Sequence, residues 1–437
     1  MTTGSAPRLN RRALLAVCCI AALTAILATI GGSAQAAPAI GPDVTVFQFT
    51  DVGSYGSSGG FAGYAIGTRS CNRGDTPLNW CDQASGCAPG AKPKDHPVIA
   101  QNLYRLKSGR FQQIGMSWLK HGFLSTNSST GGCTGSSGQG CTSPPAGSNQ
   151  LGVGCTDPYT ASLNGGRPLG RRSEVNATTG DFVFPFSSPS APNVYDQRIK
   201  VATTDLDSVP NAGATYWAEG QYIAGDDAGA GNSLNNASHR QVTVGAATNY
   251  SLTMTGTFYE QLPAIFAWPA HDSNVTLVKA DVPGAITERF YVARKVTDLG
   301  GGLWHYEYAV HNLNSDRSAR AFSVEFPVST AFTNVGFKGI AHHSGEPYAV
   351  DDWTVSSSAA LLSWSTDTFA ANQNAHALRF ATMFNFWFDA DQAPTDAIVH
   401  TIDLFKPGDP AAVEFGIVNA LFSDNFESGD TGLWNGR

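Results

Sequence analysis

The sequence predicts an all-β protein, built as one or two antiparallel β-sandwich domains with a loop-rich, disulfide-stapled N-terminal region. Two-residue alternation of apolar and polar side chains recurs through the second half, whereas helical periodicity is nearly absent. Gly, Asn and Asp clusters interrupt these alternating runs at short intervals, as strand-connecting turns do. The composition agrees: 42% of residues are hydrophobic and 11% aromatic, enough for a packed core, while only 14% are charged and 47 are Gly.

Residues 1–36 read as an export signal. Arg8, Arg11 and Arg12 come first, an apolar run follows over 13–30, and Ala34-Gln35-Ala36 supplies small residues for cleavage near Ala36. Arg11-Arg12 ahead of Ala13-Leu14-Leu15 also fits a twin-arginine signal, so both export routes stay open. Val17 stands where a lipobox needs a small residue, so Cys18 and Cys19 are expected to leave with the signal. No later run is comparably apolar, so no integral membrane span is expected after processing. The mature chain should divide into an N-terminal β domain with disulfide-rich loops (37–260), a C-terminal β-sandwich domain (261–418) and a polar tail (419–437).

Six cysteines follow the signal: Cys71, Cys81, Cys87, Cys133, Cys141 and Cys155. An even number in an oxidising compartment predicts three disulfides. They sit among Gly, Ser, Thr and Asn, where cross-links offset the entropy of segments with little to bury. A zinc site would need Cys-x-x-Cys pairs, and the sequence has none.

Along the second half, Tyr250, Leu252, Met254 and Phe258 share one face of a strand, with Ser251, Thr253, Thr255 and Thr257 on the other. Strands are then expected over 286–297, 303–313 and 319–328, separated by Gly300-Gly301-Gly302 and Asn314-Ser315-Asp316. A last run, 378–388, aligns Phe380, Phe384, Phe386 and Phe388 on one side and Arg379, Asn385 and Asp389 on the other. Such a series describes a meander or Greek key.

The segment 290–326, with Tyr306-Glu307-Tyr308-Ala309-Val310-His311-Asn312, resembles the strand pairs of immunoglobulin-like modules in bacterial surface proteins, which implies a fold more than a function. The stretch Ile114-Gly115-Met116-Ser117-Trp118-Leu119-Lys120-His121-Gly122-Phe123, with 151–164 and 172–176, resembles a family of secreted bacterial β-sandwich proteins of no assigned activity. Asp424-Asn425-Phe426-Glu427-Ser428-Gly429-Asp430-Thr431 is similar to short C-terminal tails of exported proteins, as a sorting element or a plain polar terminus.

Among chemical groups, His305, Glu307 and His311 project from one face of a strand, and imidazole with carboxylate is a metal-ligand pattern. His305 and Glu307 stand about 7 Å apart along the strand, and His311 lies farther off. Alternation also allows a plainer arrangement, in which Trp304, Tyr306, Tyr308 and Val310 fill the core and the polar three face water. His343 and Glu346, in Ala341-His342-His343-Ser344-Gly345-Glu346, would complete a two-histidine, one-carboxylate set, and His121 is a further candidate. The implied cofactor is a divalent metal, calcium or a transition metal. For calcium, Asp205, Asp207, Asp226, Asp227, Asn232, Asn235, Asn236, Asp351 and Asp352 offer hard oxygens without a complete EF-hand. Gly56-Ser57-Ser58-Gly59-Gly60 and Ser117-Trp118-Leu119-Lys120 match nucleophile motifs only formally, without the required context.

After the signal, 24 basic residues face 35 acidic ones, a net charge of −11, which argues against nucleic acid or an anionic membrane surface as partner. The function expected first is therefore extracellular binding of a ligand, a glycan or another cell-surface component, with Trp217, Tyr222, Trp353 and Trp364 as stacking surfaces for sugar rings. The alternatives are a metal-dependent secreted enzyme, oxidative or hydrolytic, built on His305 and Glu307, and a structural envelope component.

Overall fold

A computed structural model describes residue 1 and residues 41–81, 95–163 and 169–418. The rest of the expected signal, Cys87 and the polar tail lie outside the described residues. The chain is all-β. Its first part forms β1 (Val44–Ser58), β2 (Phe61–Asn72), β3 (Leu78–Asn79), β4 (Val98–Lys107), β5 (Arg110–Met116), β6 (Lys120–His121), β7 (Gln150–Leu151), β8 (Thr156–Tyr159), β9 (Ile199–Ala202), β10 (Thr215–Ile223), β11 (Ala237–Val244) and β12 (Leu252–Tyr259), with a one-turn helix α1 (Gly225–Gly229) between β10 and β11. Ten of these strands make one sheet in the order β1-β2-β9-β5-β4-β10-β11-β12, with β8 on β2 and β6 on β4. The sheet curls until β1 touches β10, β11 and β12, and encloses Val46, Tyr64, Ile66, Ile99, Leu103 and Tyr222.

The second part forms α2 (Ala267–His271), then β13 (Val275–Val282), β14 (Glu288–Gly300), β15 (Leu303–Asn312), β16 (Ala319–Glu325), β17 (Phe332–Lys338), β18 (Thr354–Ser357), β19 (Leu361–Ser365), β20 (Thr382–Ala390), β21 (Val399–Leu404) and β22 (Ala412–Gly416). Two five-stranded sheets result, β13-β14-β15-β20-β17 and β18-β19-β16-β21-β22. Tyr306, Tyr308, Phe384, Phe386 and Phe388 of the first meet Phe322, Trp364 and Ile402 of the second in the sandwich core. Because β16 joins the sheet opposite β15, the chain crosses the sandwich at Asn314-Ser315-Asp316 instead of continuing a meander.

The expected boundary near 260–263 falls just after the last strand of the curled sheet, and residues on its two sides share a third core. There Tyr104, Phe111 and Trp217 pack against Ala293, Ala309 and Met383, with Ile265 and Trp268 closing the junction. All described residues from 41 onward belong to one compact unit. The sheet of β14, β15 and β20 is therefore covered on both faces, which accounts for the unbroken apolar run Phe290-Tyr291-Val292-Ala293.

One strand departs from simple alternation, and another keeps it through a bulge, each for an identifiable reason. Ala381 adopts φ 52°, so β20 starts only at Thr382 and Phe380 joins Val98, Leu119 and Val175 in a separate cluster instead of the Phe384 layer. On β12, Gly256 at φ 62° coincides with a register shift against β11, and because the shift inserts two residues Phe258 stays on the face of Leu252 that alternation assigns it. Disulfides Cys71–Cys133 and Cys141–Cys155 staple the loop-rich region, and Cys81 is disulfide-bonded as well.

Candidate functional site

The structure brings His305 and Glu307 together and supplies a third group that the sequence did not single out. His305 Nδ1 lies 2.6 Å from Asp389 Oδ1, and its Nε2 lies 3.6 Å from Glu307 Oε2. Asp389 arrives because β20 pairs with β15 and sets it opposite His305. Both Glu307 oxygens accept from Arg110, its Nε and Nη2 at 2.7 Å each, and the guanidinium lies 3.6 Å over the Trp387 ring. The nearby Glu307 carboxylate, then the hydrogen bond to Asp389, raises the His305 pKa above its ordinary value. Arg110 and the His305 imidazole thus already use these carboxylates, clamping the β4–β5 hairpin to the sandwich.

His311 is placed apart from the pair. Glu307 and His311 do not face water: both are buried, because the second face of β15 packs on the curled sheet. His311 stands 4.0 Å from Glu219, with neither ring nitrogen hydrogen-bonded, and burial lowers its pKa.

The other candidates have separate surroundings. His121 Nδ1 is 2.9 Å from His96 Nε2, its ring stacks 3.6 Å from Phe186, and burial lowers its pKa to about 2. His343 Nε2 faces the carbonyls of Tyr195 and Arg198, and burial lowers its pKa to about 4. Glu346 accepts the backbone N–H groups of Arg172 and Ser173. Among the described residues, no three His, Cys, Asp or Glu side chains are grouped to hold a metal ion. Trp217, Tyr222, Trp353 and Trp364 are all buried in cores and present no stacking surface for a sugar. Ser117 Oγ donates to the Trp118 carbonyl, and Lys120 Nζ to the carbonyl of Ile66.

A different site is assembled from five distant segments. Arg172, Ser173 and Val175 follow the disulfide region, Asp316 and Ser318 form the β15–β16 turn, and His342 and Tyr348 lie on the β17–β18 loop. Arg379, Phe380 and Thr382 lead into β20, and Lys406 follows β21. Together they line a small cleft, about 30 Å³ in volume, that opens to solvent.

Its electrostatics are uneven. Lys406 Nζ is neutralised by both Asp316 oxygens at 2.8 Å. Arg172 is spent on structure: its Nε donates to the Ser117 carbonyl, Nη1 to that of Ala381, and Nη2 to the Gln101 carbonyl and Asn102 Oδ1. Burial lowers its pKa to about 10. Arg379 is only 6% exposed and has no carboxylate partner among the described residues. Its Nη2 donates to the carbonyls of Gln373 and Ala375, while its buried Nε–H has no acceptor. Tyr348 and Phe405 lie under the guanidinium at 4.0 and 4.6 Å.

Next to it, His342 Nε2 is also buried without a partner. Burial first, then His376, Arg379 and Arg172, hold its pKa well below the ordinary value. The ring is therefore neutral and can donate one N–H. Asp316 and Glu346 act on the Arg379 guanidinium through space without bonding to it, and a buried donor without an acceptor costs about 1–3 kcal/mol. An anion that reached these two buried nitrogens from the cleft would give both a partner.

Sequence reasoning missed this cleft because its residues are spread over more than 230 positions and match no motif. The one available signal was Arg379, placed on the polar side of an otherwise aromatic run. No family model matches the chain, and no curated protein shows significant similarity to it.

Proposed function

We propose that this protein binds an extracellular ligand through a carboxylate held in the Arg379 cleft. The observation that carries the proposal is the buried Arg379 guanidinium, bonded to no carboxylate, with its unanswered Nε–H beside the equally unanswered His342 Nε2. With the Tyr348 hydroxyl these donors suit the two oxygens of a carboxylate, and Tyr348 and Phe380 provide apolar walls for the ring or chain that bears it. Disulfides and the export-type N-terminus support an extracellular setting. The carboxylate comes from a uronate of a surface glycan or from a free organic acid.

Calorimetric titration distinguishes the two sources. Oligosaccharides containing uronate, their neutral methyl esters and short free carboxylic acids are compared on wild type and on Arg379→Met. A carboxylate-dependent heat that weakens about 10- to 100-fold in the variant supports the proposal, as expected for loss of a charge-assisted hydrogen bond of about 1.5–3 kcal/mol. Esters binding as well as acids, or an unaffected variant, would overturn it.

A further inference from the structure

A second group of buried polar atoms lies where the chain enters β1. Asp43 precedes that strand, Asp227 lies on α1, and Asn235 and Asn236 immediately precede β11. Two side-chain rungs connect them. Asn236 Nδ2 donates to Asp227 Oδ2 at 2.7 Å, with the Val44 N–H on Asp227 Oδ1 at 2.9 Å; Asn235 Nδ2 faces Asp43 Oδ2 at 3.4 Å. These contacts fix the orientation of both amides, because a flip would set carbonyl oxygen against carboxylate oxygen.

With the amides so oriented, Asp43 Oδ1, Asn235 Oδ1 and Asn236 Oδ1 are all buried without a donor. Asp43 is 4% exposed, and Asp227 and Asn236 are 0% exposed. The nearby cation, Arg73, is occupied by both oxygens of Glu260 at 2.6 and 2.7 Å. Two buried carboxylates and three orphaned oxygens without a positive charge of their own form an electrostatic deficit.

We propose that Asp43, Asp227, Asn235 and Asn236 hold a calcium ion. The donors are all oxygens, anionic and amide, which is the hard set that calcium takes at six to eight positions, with water completing the shell. The set contains only two carboxylates, so no cluster of three acidic or imidazole ligands is required. Calcium here clamps 42–44 to the loop that follows α1, where Asn232 Nδ2 already donates to the Pro42 carbonyl at 2.8 Å, and so anchors the first strand of the curled sheet.

The test uses the processed full chain, stripped with EGTA and titrated at pH 7.5 with CaCl2 alone, then with MgCl2 and TbCl3. One equivalent of calcium bound with millimolar or tighter affinity, a rise in thermal midpoint on adding calcium, and tryptophan-sensitised terbium emission displaced by calcium are expected. Asn235→Ala should weaken calcium binding at least tenfold and leave the far-ultraviolet circular dichroism spectrum unchanged. The wild-type comparison of calcium with EGTA needs no variant, so poor folding of Asn235→Ala does not compromise it. No calcium heat and no change in midpoint would overturn the proposal, and an equal response to magnesium would overturn the assignment to calcium.

Discussion

Replacing Glu219 by Gln turns one carboxylate oxygen into an NH2 group in the seam between the curled sheet and the sandwich, and its cost follows from hydrogen-bond counting. The carboxylate is fully buried and accepts three donors: Asn102 Nδ2 and Tyr104 OH on Oε1, both at 2.8 Å, and the Ala264 N–H on Oε2 at 2.6 Å. Only a group that accepts on both oxygens serves all three. A Gln amide with its oxygen toward Asn102 sets its NH2 against the Ala264 N–H; flipped, it meets the Asn102 NH2, and only the Tyr104 hydroxyl can turn to accept. At least one buried donor loses its acceptor, about 1–3 kcal/mol, and the remaining bonds lose their charge assistance. A destabilisation of about 2–4 kcal/mol is expected for Glu219→Gln, and about 1 kcal/mol for Tyr104→Phe, which removes one donor together with its need. Urea unfolding of the oxidised protein, followed by far-ultraviolet circular dichroism and tryptophan fluorescence, measures both. Glu219→Gln within about 0.5 kcal/mol of wild type would refute this count of the donors that Glu219 serves.

Three other outcomes follow from the same structure. The raised His305 pKa means that its contribution to stability is complete below the ordinary value of 6.5 and is lost as pH rises through the folded-state value. With the side chain 26% exposed, His305→Gln should cost about 1 kcal/mol at pH 5.5 and nothing measurable at pH 9, checked by urea midpoints at both pH values. A Cβ on Gly336 would lie 2.1 Å from the Trp387 ring. Gly336→Ala should therefore push the indole off Arg110 and cost about 1–3 kcal/mol, with a change in tryptophan emission. Arg172→Met should be among the most damaging substitutions, about 3–5 kcal/mol by thermal or urea unfolding, because four buried acceptors share that one guanidinium.

Strand positions were legible in the sequence wherever turn chemistry and alternation agreed. β14 and β15 stand where expected because Gly300, Gly301 and Gly302 all take positive φ at the turn between them. What alternation does not reveal is whether the polar face of a strand meets water or another layer. On β15 that face carries Glu307, Ala309 and His311, and the small Ala309, opposite Ala293, admits the curled sheet. Half of the four-residue cluster was legible for the same reason: His305 and Glu307 share a face by periodicity, whereas Asp389 and Arg110 reach them only through contacts across 84 and 197 residues. The cleft was not legible, since its character arises from a carboxylate that Arg379 lacks, and such an absence leaves no pattern in a chain. The oxygen-rich loop was visible as composition at Asp226, Asp227, Asn232, Asn235 and Asn236. Asp43 joins it only because β1 packs beside that loop.

The most direct test of the central claim is a crystal structure of the processed protein grown with a bromine-labelled short-chain carboxylate and measured at the bromine edge. An anomalous peak inside the cleft, with the carboxylate oxygens within hydrogen-bond reach of Arg379 Nε and His342 Nε2, is the predicted result. A cleft filled only by water, with the label scattered over the surface or lodged elsewhere, would contradict it.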